Sequence, residues 1–161
     1  MIRRTFLTLG AAGLGARAGL FSVSEYGASG DGARLNTKAI QAAIDACARA
    51  GGGTVYFPAG RYLTGTIYLK SNVALHLDSG AVLLGSKNLA DYPVTVSAYR
   101  SYTDNYTDKS LIYAENVENI GIEGRGTIDG QGASFKGPYK VRPYLIRIIN
   151  SRNIAVTDVT L

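Results

Sequence analysis

A weak internal repeat is the feature of this sequence that most restricts its fold. Residues 111–130 recur in shorter form as residues 145–158. The recurring residues are apolar or Asn, and they lie 34 positions apart: Leu111/Leu145, Ile112/Ile146, Asn116/Asn150, Asn119/Asn153, Ile120/Ile154 and Ile122/Val156. Repeats with a period of 20–50 residues are typical of stacked coils. Each copy alternates apolar and polar residues like a short strand, which buries its apolar side only against a stacked copy. The repeat therefore predicts a β-solenoid.

The alternation also predicts which side chains face the core. The predicted core residues are Ile120, Ile122, Ile128, Leu145, Ile146, Ile154 and Val156. We expect residues 120–123 to pair in parallel with residues 154–157, and the Gly-, Lys- and Pro-rich segment 131–143 to form a loop between coils. The alternative interpretation is two ordinary strand–turn–strand units of a β-sandwich. The solenoid is favoured because turn residues recur at the offset as well as apolar residues.

Further short strands precede the repeat. Residues 54–57, 62–69, 73–77 and 81–84 alternate or nearly alternate, and short corners with Gly, Pro or Asn, residues 58–60, 71–72 and 78–80, separate them. Asn72, Asn119 and Asn153 each enter a strand at an equivalent place. Stacked Asn side chains can form a hydrogen-bonded ladder, and Asn tolerates the backbone of a tight corner. We expect such a ladder; the alternative is three independent turn residues.

One amphipathic helix is predicted, over residues 36–50. Asn36 is a favourable N-cap residue, and the glycines from Gly51 onward end the helix. The apolar positions follow helical spacing: Ile40, Ala43, Ile44 and Cys47. We expect this face to cover the first coil, because a solenoid needs a cap at its end. Cys47 is the only cysteine, so no internal disulfide can form, and a buried, unreactive thiol is expected.

The N-terminal segment 1–18 resembles an export signal. Arg3 and Arg4 precede Thr5, an apolar run follows, and residues 16–18 fit a small-x-small cleavage pattern. The paired arginines are typical of twin-arginine signals. The run is too short to span a bilayer as a helix. The alternative is a basic, disordered N-terminus.

Composition argues against a nucleic-acid partner. The formal charge is +5, but three arginines lie in the predicted signal, and removing them leaves about +2. The chain of 161 residues is long enough for one domain with a real core. Its 20 Gly and 11 Tyr fit many short strands with tight turns.

A tyrosine-rich segment, residues 86–110, interrupts the strands. It contains Tyr92, Tyr99, Tyr102 and Tyr106. Long loops on rigid scaffolds often carry function, and tyrosine rings suit sugar rings, which have apolar faces and polar rims. Equally, these tyrosines could fix the loop to the solenoid wall. The sequence leaves the two roles open.

Several of these segments resemble family 28 glycoside hydrolases, the polygalacturonases and their relatives on the right-handed parallel β-helix. The resemblance covers residues 21–161 and is strongest in the Gly-Thr-Ile-Asp-Gly-Gln-Gly stretch ending at Gly132, with Arg142-Pro143 after it. It also uses the following segments: 26–32, 39–45, 51–60, 69–73, 80–81 and 153–154. The implied fold is all-β, a right-handed parallel β-helix with a short N-terminal capping α-helix.

The resemblance implies hydrolysis of α-linked galacturonan in pectin, with inversion at the anomeric carbon. Inversion needs one carboxylic acid for the leaving oxygen and carboxylate for the attacking water, roughly 6.5–9.5 Å apart. The family supplies these groups from Asn-Thr-Asp and Asp-Asp motifs. A Gly-His-Gly motif adds a histidine, and an Arg-Ile-Lys motif adds cations for the uronate carboxylate.

None of these motifs occurs in this sequence. Asn36-Thr37 is followed by Lys38, no Asp-Asp pair exists, and Arg147-Ile148 is followed by Ile149. We therefore assign no catalytic residue, metal ligand or cofactor, and we leave the substrate-binding residues unassigned.

The remaining titratable candidates have simpler interpretations. The only histidine, His76, lacks flanking glycines and is expected to be an ordinary strand residue. Asp104 and Asp108 could form a carboxylate pair, but a duplicated polar loop explains them more simply. Asp129 is expected to be a turn residue.

The expected organisation is an export signal over residues 1–18 and, over 19–161, the N-terminal part of a single β-helix domain. The strand in progress at Leu161 suggests that the catalytic motifs follow it. We expect a glycosidase that is monomeric at full length, secreted or periplasmic, and active on pectin or polygalacturonate. The 161-residue chain alone is expected to be inactive.

Two other functions remain open from the sequence. The first is a polysaccharide lyase on the same fold, which would often use Ca²⁺ held by clustered carboxylates. The second is a non-enzymatic β-helix that binds polysaccharide. Fold alone does not decide among the three functions.

Overall fold

The chain winds into a right-handed parallel β-helix with three sheets along its length, in a computed structural model that describes residues 19–99, 102–103, 107–137 and 141–161. Sheet 1 contains β1 (Gly19–Ser22), β2 (Gly53–Phe57), β5 (Val73–Leu77), β8 (Glu118–Gly124) and β11 (Arg152–Val156). Sheet 2 contains β3 (Gly60–Thr64), β6 (Ala81–Gly85) and β9 (Thr127–Asp129). Sheet 3 contains β4 (Ile67–Tyr68), β7 (Ser110–Glu115) and β10 (Tyr144–Ile149). Each coil visits the three sheets in turn.

The 34-residue offset is the spacing between two stacked coils. Ile154 pairs with Ile120 in parallel register, and Ile146 pairs with Ile112. The predicted pairing of residues 120–123 with 154–157 is therefore confirmed. The predicted loop 131–143 connects β9 to β10. The predicted strand 62–69 is instead two strands, because the chain turns a corner between β3 and β4.

The core lies between the three sheets and is apolar. Ile120, Ile122 and Ile128 are buried, as predicted, whereas Leu145 and Ile146 are only partly buried. The prediction is wrong for Ile154 and Val156, which are 40% and 42% exposed. They belong to β11, which pairs with β8 on one side and, among the described strands, has no neighbour on the other. An inward side chain of a solenoid is buried only when coils stack on both sides of it.

The α-helix α1 (Thr37–Arg49) covers the first coil. Its apolar face is fully buried, as predicted: Ile40, Ala43, Ile44 and Cys47. Burial also raises the pKa of the Cys47 thiol, which agrees with an unreactive cysteine. No described helix is long and apolar enough to cross a membrane.

The two ends of α1 are held in different ways. Asn36 precedes the helix, but its side chain does not cap it, contrary to prediction. That amide instead accepts a hydrogen bond from the Ser29 N–H at 2.8 Å and donates to the Ser29 and Arg34 carbonyls. At the C-terminus, Gly51 takes φ +95°, and the Gly52 N–H donates to the Cys47 carbonyl. This is a Schellman motif, which glycine permits at little cost.

The predicted Asn ladder is present at the corner that leads into sheet 1. Asn72, Asn119 and Asn153 all have positive φ, between 54° and 64°. The Asn119 amide donates to Asn72 at 2.9 Å, and the Asn153 amide donates to Asn119 at 2.6 Å. A second ladder joins Asn150 to Asn116 at 2.5 Å. The ladders fix the corner residues of successive coils in register.

Candidate functional site

A row of outward-facing side chains crosses sheet 3. Tyr68 on β4 pairs with Tyr113 on β7, and Tyr113 pairs with Arg147 on β10. Residues in register on parallel strands project to the same side of the sheet. The Tyr68 and Tyr113 rings meet edge to face, with centroids 5.8 Å apart. We call Tyr68, Tyr113 and Arg147 the sheet 3 row; two aromatic rings and one cation form a line across three coils.

Glu115 connects the sheet 3 row to the segment that covers it, through Ser97 and Ala98. The Tyr113 hydroxyl donates to Glu115 Oε2 at 2.6 Å. The Ser97 hydroxyl and the Ala98 N–H donate to Oε1 at 2.9 and 3.1 Å. The hydrogen bond from Tyr113, assisted by the other two, lowers the pKa of Glu115 against the effect of burial. Burial, with the adjacent Glu115, raises the pKa of Tyr113 to about 12. Glu115 is thus held ionised and Tyr113 protonated.

Arg147 is the least satisfied member of the row. Its guanidinium carbon lies 5.4 Å from the centroid of the Tyr144 ring, a cation–π distance. Its Nη1 is buried without a hydrogen-bond partner, and within the described residues no carboxylate lies at ion-pair distance from it. The other buried side-chain atom in this condition, over the same part of the chain, is Ser110 Oγ. A recess of about 340 Å³ adjoins Tyr144, between Phe135 and Pro143.

The tyrosine-rich segment between β6 and β7 overlies this face. Tyr92 is buried, and its hydroxyl donates to the Ser86 carbonyl at 2.6 Å. Lys109 donates to the Leu89 carbonyl at 3.3 Å, so both ends of the segment are tied together. The fixing role therefore holds for Tyr92. Tyr99 and Tyr102 are exposed, and sugar contact by them stays a prediction; Tyr106 lies outside the described residues.

His76 is a strand residue of β5, as predicted. It lies on the outer side of sheet 1, where its ring stacks on Tyr56 with centroids 5.9 Å apart. Its Nδ1 lies 3.3 Å from Glu123 Oε1. The Tyr56 hydroxyl donates to Asp78 Oδ2 at 2.6 Å. These polar groups are therefore paired with one another.

The other predicted carboxylates are Asp129 and the pair of Asp104 and Asp108, and that pair stays a prediction. Asp129 is the last residue of β9 and not a turn residue, contrary to prediction, and its Oδ1 accepts from the Gln131 N–H at 2.8 Å just after the strand. Asp108 is exposed, and Asp104 lies outside the described residues. Across the described ranges, no group of three His, Cys, Asp or Glu side chains could hold a metal ion.

No sequence pattern described above predicts the sheet 3 row, although a signal for part of it exists. In the sequence, Arg147 stands out only as a departure from the Arg-Ile-Lys motif. Tyr113 and Arg147 lie 34 positions apart, which is the repeat offset, so the repeat could have placed them side by side. Tyr68 lies 45 positions before Tyr113, because a long loop intervenes, and no repeat pairs those two residues.

Comparison with known proteins agrees with this architecture. The family model described as "Rhamnogalacturonase A/epimerase, pectate lyase-like" matches residues 20–157. An exo-poly-α-D-galacturonosidase from Dickeya chrysanthemi is 45% identical over 121 residues, 70% of this chain and 20% of its own length. A probable polygalacturonase from Vitis vinifera is 38% identical over 162 aligned positions, 90% of this chain and 32% of its own.

This chain is also similar to a solved structure. The family 28 exopolygalacturonase of Yersinia enterocolitica matches with a TM-score of 0.62 and 40% identity, over 72% of this chain and 21% of that one. Mannuronan C5-epimerases and an alginate lyase of Azotobacter vinelandii also match. This chain therefore spans no more than 32% of the length of the two curated polygalacturonase relatives. With its parallel coils, capping helix and matched family model, the chain belongs to the rhamnogalacturonase A/epimerase family of pectate lyase-like proteins.

Proposed function

We propose that this chain is the N-terminal part of a polygalacturonase-like glycoside hydrolase that acts on pectin. The observation that carries the proposal is the cation of Arg147 in the sheet 3 row, whose Nη1 is buried without a hydrogen-bond partner and whose guanidinium lies 5.4 Å from the Tyr144 ring. Aromatic rings suit the apolar faces of sugar rings, and a guanidinium suits a uronate carboxylate. The names of the similar galacturonosidase and polygalacturonases support the same substrate class.

In this proposal the described residues bind and orient substrate and do not perform the chemistry. Inverting hydrolysis needs a protonated carboxylic acid on one side of the bond and a carboxylate with water on the other. Glu115 cannot be the acid, because its hydrogen bonds from Tyr113, Ser97 and Ala98 hold it ionised. We propose that the acid and base are outside these 161 residues and that the chain alone is inactive.

The test is an activity assay on the 161-residue chain and on the full-length polypeptide. Both are incubated with polygalacturonate, and reducing ends and ultraviolet absorbance are measured together. We expect reducing ends from the full-length protein without the absorbing unsaturated ends that a lyase produces. Reducing ends from the short chain would contradict its proposed inactivity. Absorbing ends from the long form would overturn hydrolysis.

Elimination is the second candidate, and one observation favours it. A cation against a uronate carboxylate also stabilises the carbanion that forms when the adjacent C5 proton is removed. Arg147 is such a cation, and the matches include epimerases and an alginate lyase. The absorbance arm of the assay detects a lyase, and exchange of solvent deuterium into the polymer at C5 would detect an epimerase.

We also propose that residues 1–18 direct export to the periplasm or the medium. The support is Arg3-Arg4 ahead of a short apolar run and a small-x-small site. Replacing Arg3-Arg4 with Lys-Lys should block secretion by the twin-arginine route. Unchanged secretion would indicate the general secretory route or another role for the segment.

A further inference from the structure

The base of the segment between β6 and β7 is closed by contacts that do not involve sheet 3. Tyr92 is buried, and its hydroxyl donates to the Ser86 carbonyl at 2.6 Å. The N–H and the hydroxyl of Thr95 both donate to the Asp108 carbonyl, at 2.7 and 2.9 Å. These contacts fix where the segment leaves the solenoid. They do not determine how the residues after Thr95 lie over sheet 3.

Glu115 provides a fixed point on sheet 3 for those later residues. It is the last residue of β7, and its Oε1 accepts from the Ser97 hydroxyl at 2.9 Å and from the Ala98 N–H at 3.1 Å. Its Oε2 accepts from the Tyr113 hydroxyl at 2.6 Å, which sets the direction of the carboxylate. Hydrogen bonds to an ionised group are roughly twice as strong as neutral ones. The carboxylate therefore joins the segment firmly to the sheet 3 row.

Ser97 extends this connection to Tyr99. While the Ser97 hydroxyl donates to Glu115, the same oxygen accepts from the Tyr99 N–H at 3.0 Å. A serine hydroxyl bonded to the N–H two residues on forms a local turn that restricts the backbone between them. The orientation of the Tyr99 backbone therefore depends on Glu115 through one hydroxyl group.

The Tyr99 side chain itself projects from the surface. It is 56% exposed, although its backbone is held through Ser97. Ordering an exposed ring costs conformational entropy and buries little apolar area, so it contributes little to folding. It favours binding, because a side chain that is already ordered loses less freedom when a ligand packs on it. A sugar ring suits such a surface, since its apolar face stacks on tyrosine.

We propose that Glu115 is a positioning residue, which acts through Ser97 to hold Tyr99 beside the sheet 3 row, where the ring stacks on a sugar unit of the bound polymer. The inference rests on the proposed function for the identity of that polymer. The contact uses the apolar face of the sugar and no charge. A ring that is not held has to be ordered in each binding event, which should weaken binding about 3- to 10-fold.

The test separates the position of the Tyr99 ring from its presence. Tyr99→Ala removes the ring, Ser97→Ala removes the connecting hydroxyl, and Ser97→Thr keeps a hydroxyl as the conservative variant. Glu115→Ala removes the fixed point. Ser79→Ala is the matched control, because it removes a serine hydroxyl from the exposed corner after β5. For each variant of the full-length protein we measure the Kd for an oligogalacturonate, the KM and kcat on polygalacturonate, and hydrogen exchange at the Tyr99 amide.

We expect Ser97→Ala to raise Kd and KM about 3- to 10-fold and to leave kcat unchanged, because only binding depends on the ordered ring. Ser97→Thr should recover most of the affinity, and Ser79→Ala should match the original protein. Exchange at the Tyr99 amide should be faster in both Ser97→Ala and Glu115→Ala. Adding Ser97→Ala to Tyr99→Ala should cost no further affinity, since both changes remove the same contact.

Two results would overturn the inference. The first is an unchanged Kd in Ser97→Ala although exchange at the Tyr99 amide is faster. The second is a full additive loss when Ser97→Ala is combined with Tyr99→Ala. If the full-length protein hydrolyses polygalacturonate while both single variants bind it as tightly as the original, the inference alone fails. If both variants weaken binding as expected but the polymer is not hydrolysed, the proposed function alone fails.

Discussion

Two outward rows of side chains run across this solenoid, and they differ in how their polar groups are paired. On sheet 1, Tyr56, His76 and Glu123 lie in register on β2, β5 and β8. On sheet 3, the row contains Tyr68, Tyr113 and Arg147. Both rows begin with a tyrosine and end with a charged residue. The polar groups of the sheet 1 row have partners within the chain, since His76 contacts Glu123 and the Tyr56 hydroxyl donates to Asp78.

The sheet 3 row is buried more deeply and is paired less completely. Tyr113 is only 7% exposed, whereas the His76 and Glu123 side chains are 37% and 48% exposed. Nevertheless Arg147 Nη1 has no partner. A row whose polar groups are all paired needs no external partner, whereas the sheet 3 row leaves one buried donor without a partner. The pairing of the polar groups, more than their residue types, separates a structural surface from a candidate binding surface.

The largest expected effect is loss of the buried ring of Tyr113. Replacing Tyr113 with Ala should lower the free energy of unfolding by about 3–5 kcal/mol, because it leaves a cavity under the covering segment. Tyr56→Ala, in the more exposed sheet 1 row, should lower the free energy of unfolding by clearly less. Urea denaturation of the two variants gives the comparison. Equal losses would mean that the rows do not differ in burial in solution.

The register of the coils could be predicted from the sequence, but the site could not. The last two coils differ by 34 residues on both sheet 1 and sheet 3, so their pairing was visible as a repeat. Between β5 and β8 the offset is 47, because the segment after β6 is inserted at a corner. Insertions of this kind leave the stacked strands intact but conceal the repeat.

Chemistry at the site depends on contacts between distant parts of the chain. Glu115 accepts hydrogen bonds from Ser97 and Ala98, which lie in a segment with no strand pattern. No sequence periodicity predicts that contact. The corner at Gly65 was missed for a similar reason. A Cβ added there would lie 2.0 Å from the Asp91 carbonyl oxygen, so glycine is required by a contact 26 residues away in the sequence.

Acid pH should affect the sheet 3 row through Glu115. Its pKa is lowered in the folded state, so the stabilisation by its ionised form is present above its usual value of 4.5 and is lost as the pH falls through the folded value. We expect Glu115→Gln to be less stable than the original chain near neutral pH, and the difference to shrink below about pH 4.5. Urea denaturation across this pH range measures the difference.

A second variant tests the assignment of this effect to Glu115. Tyr113→Phe removes the donor to Oε2 but keeps the ring, so it should reproduce part of the pH-dependent difference. A gap between Glu115→Gln and the original chain that stays constant down to the acid transition would contradict the assignment. The effect would then come from packing of the side chain and not from its charge.

Replacing Arg147 should change the free energy of unfolding in the opposite direction from replacing Tyr113 or Glu115. Its unpaired Nη1 costs stability, so Arg147→Met, which keeps an alkyl side chain against Tyr144, should raise the free energy of unfolding by about 1 kcal/mol. Thermal and urea unfolding measure the gain. A clear destabilisation would mean that the guanidinium is already satisfied in the free protein, and the case for an external anion would weaken.

The smallest expected effect is on the sheet 1 row. His76→Gln removes the contact with Glu123, which is partly exposed on both sides and 3.3 Å long. Exposed pairs of this kind contribute roughly 0–1 kcal/mol, and salt screens them. We therefore expect the free energy of unfolding to change by less than about 1 kcal/mol, and the difference to disappear at high ionic strength. A loss comparable to that of Tyr113→Ala would mean that the sheet 1 row holds the coils together as strongly as the sheet 3 row. In that case the pairing of polar groups within each row would not distinguish a structural face from a binding face.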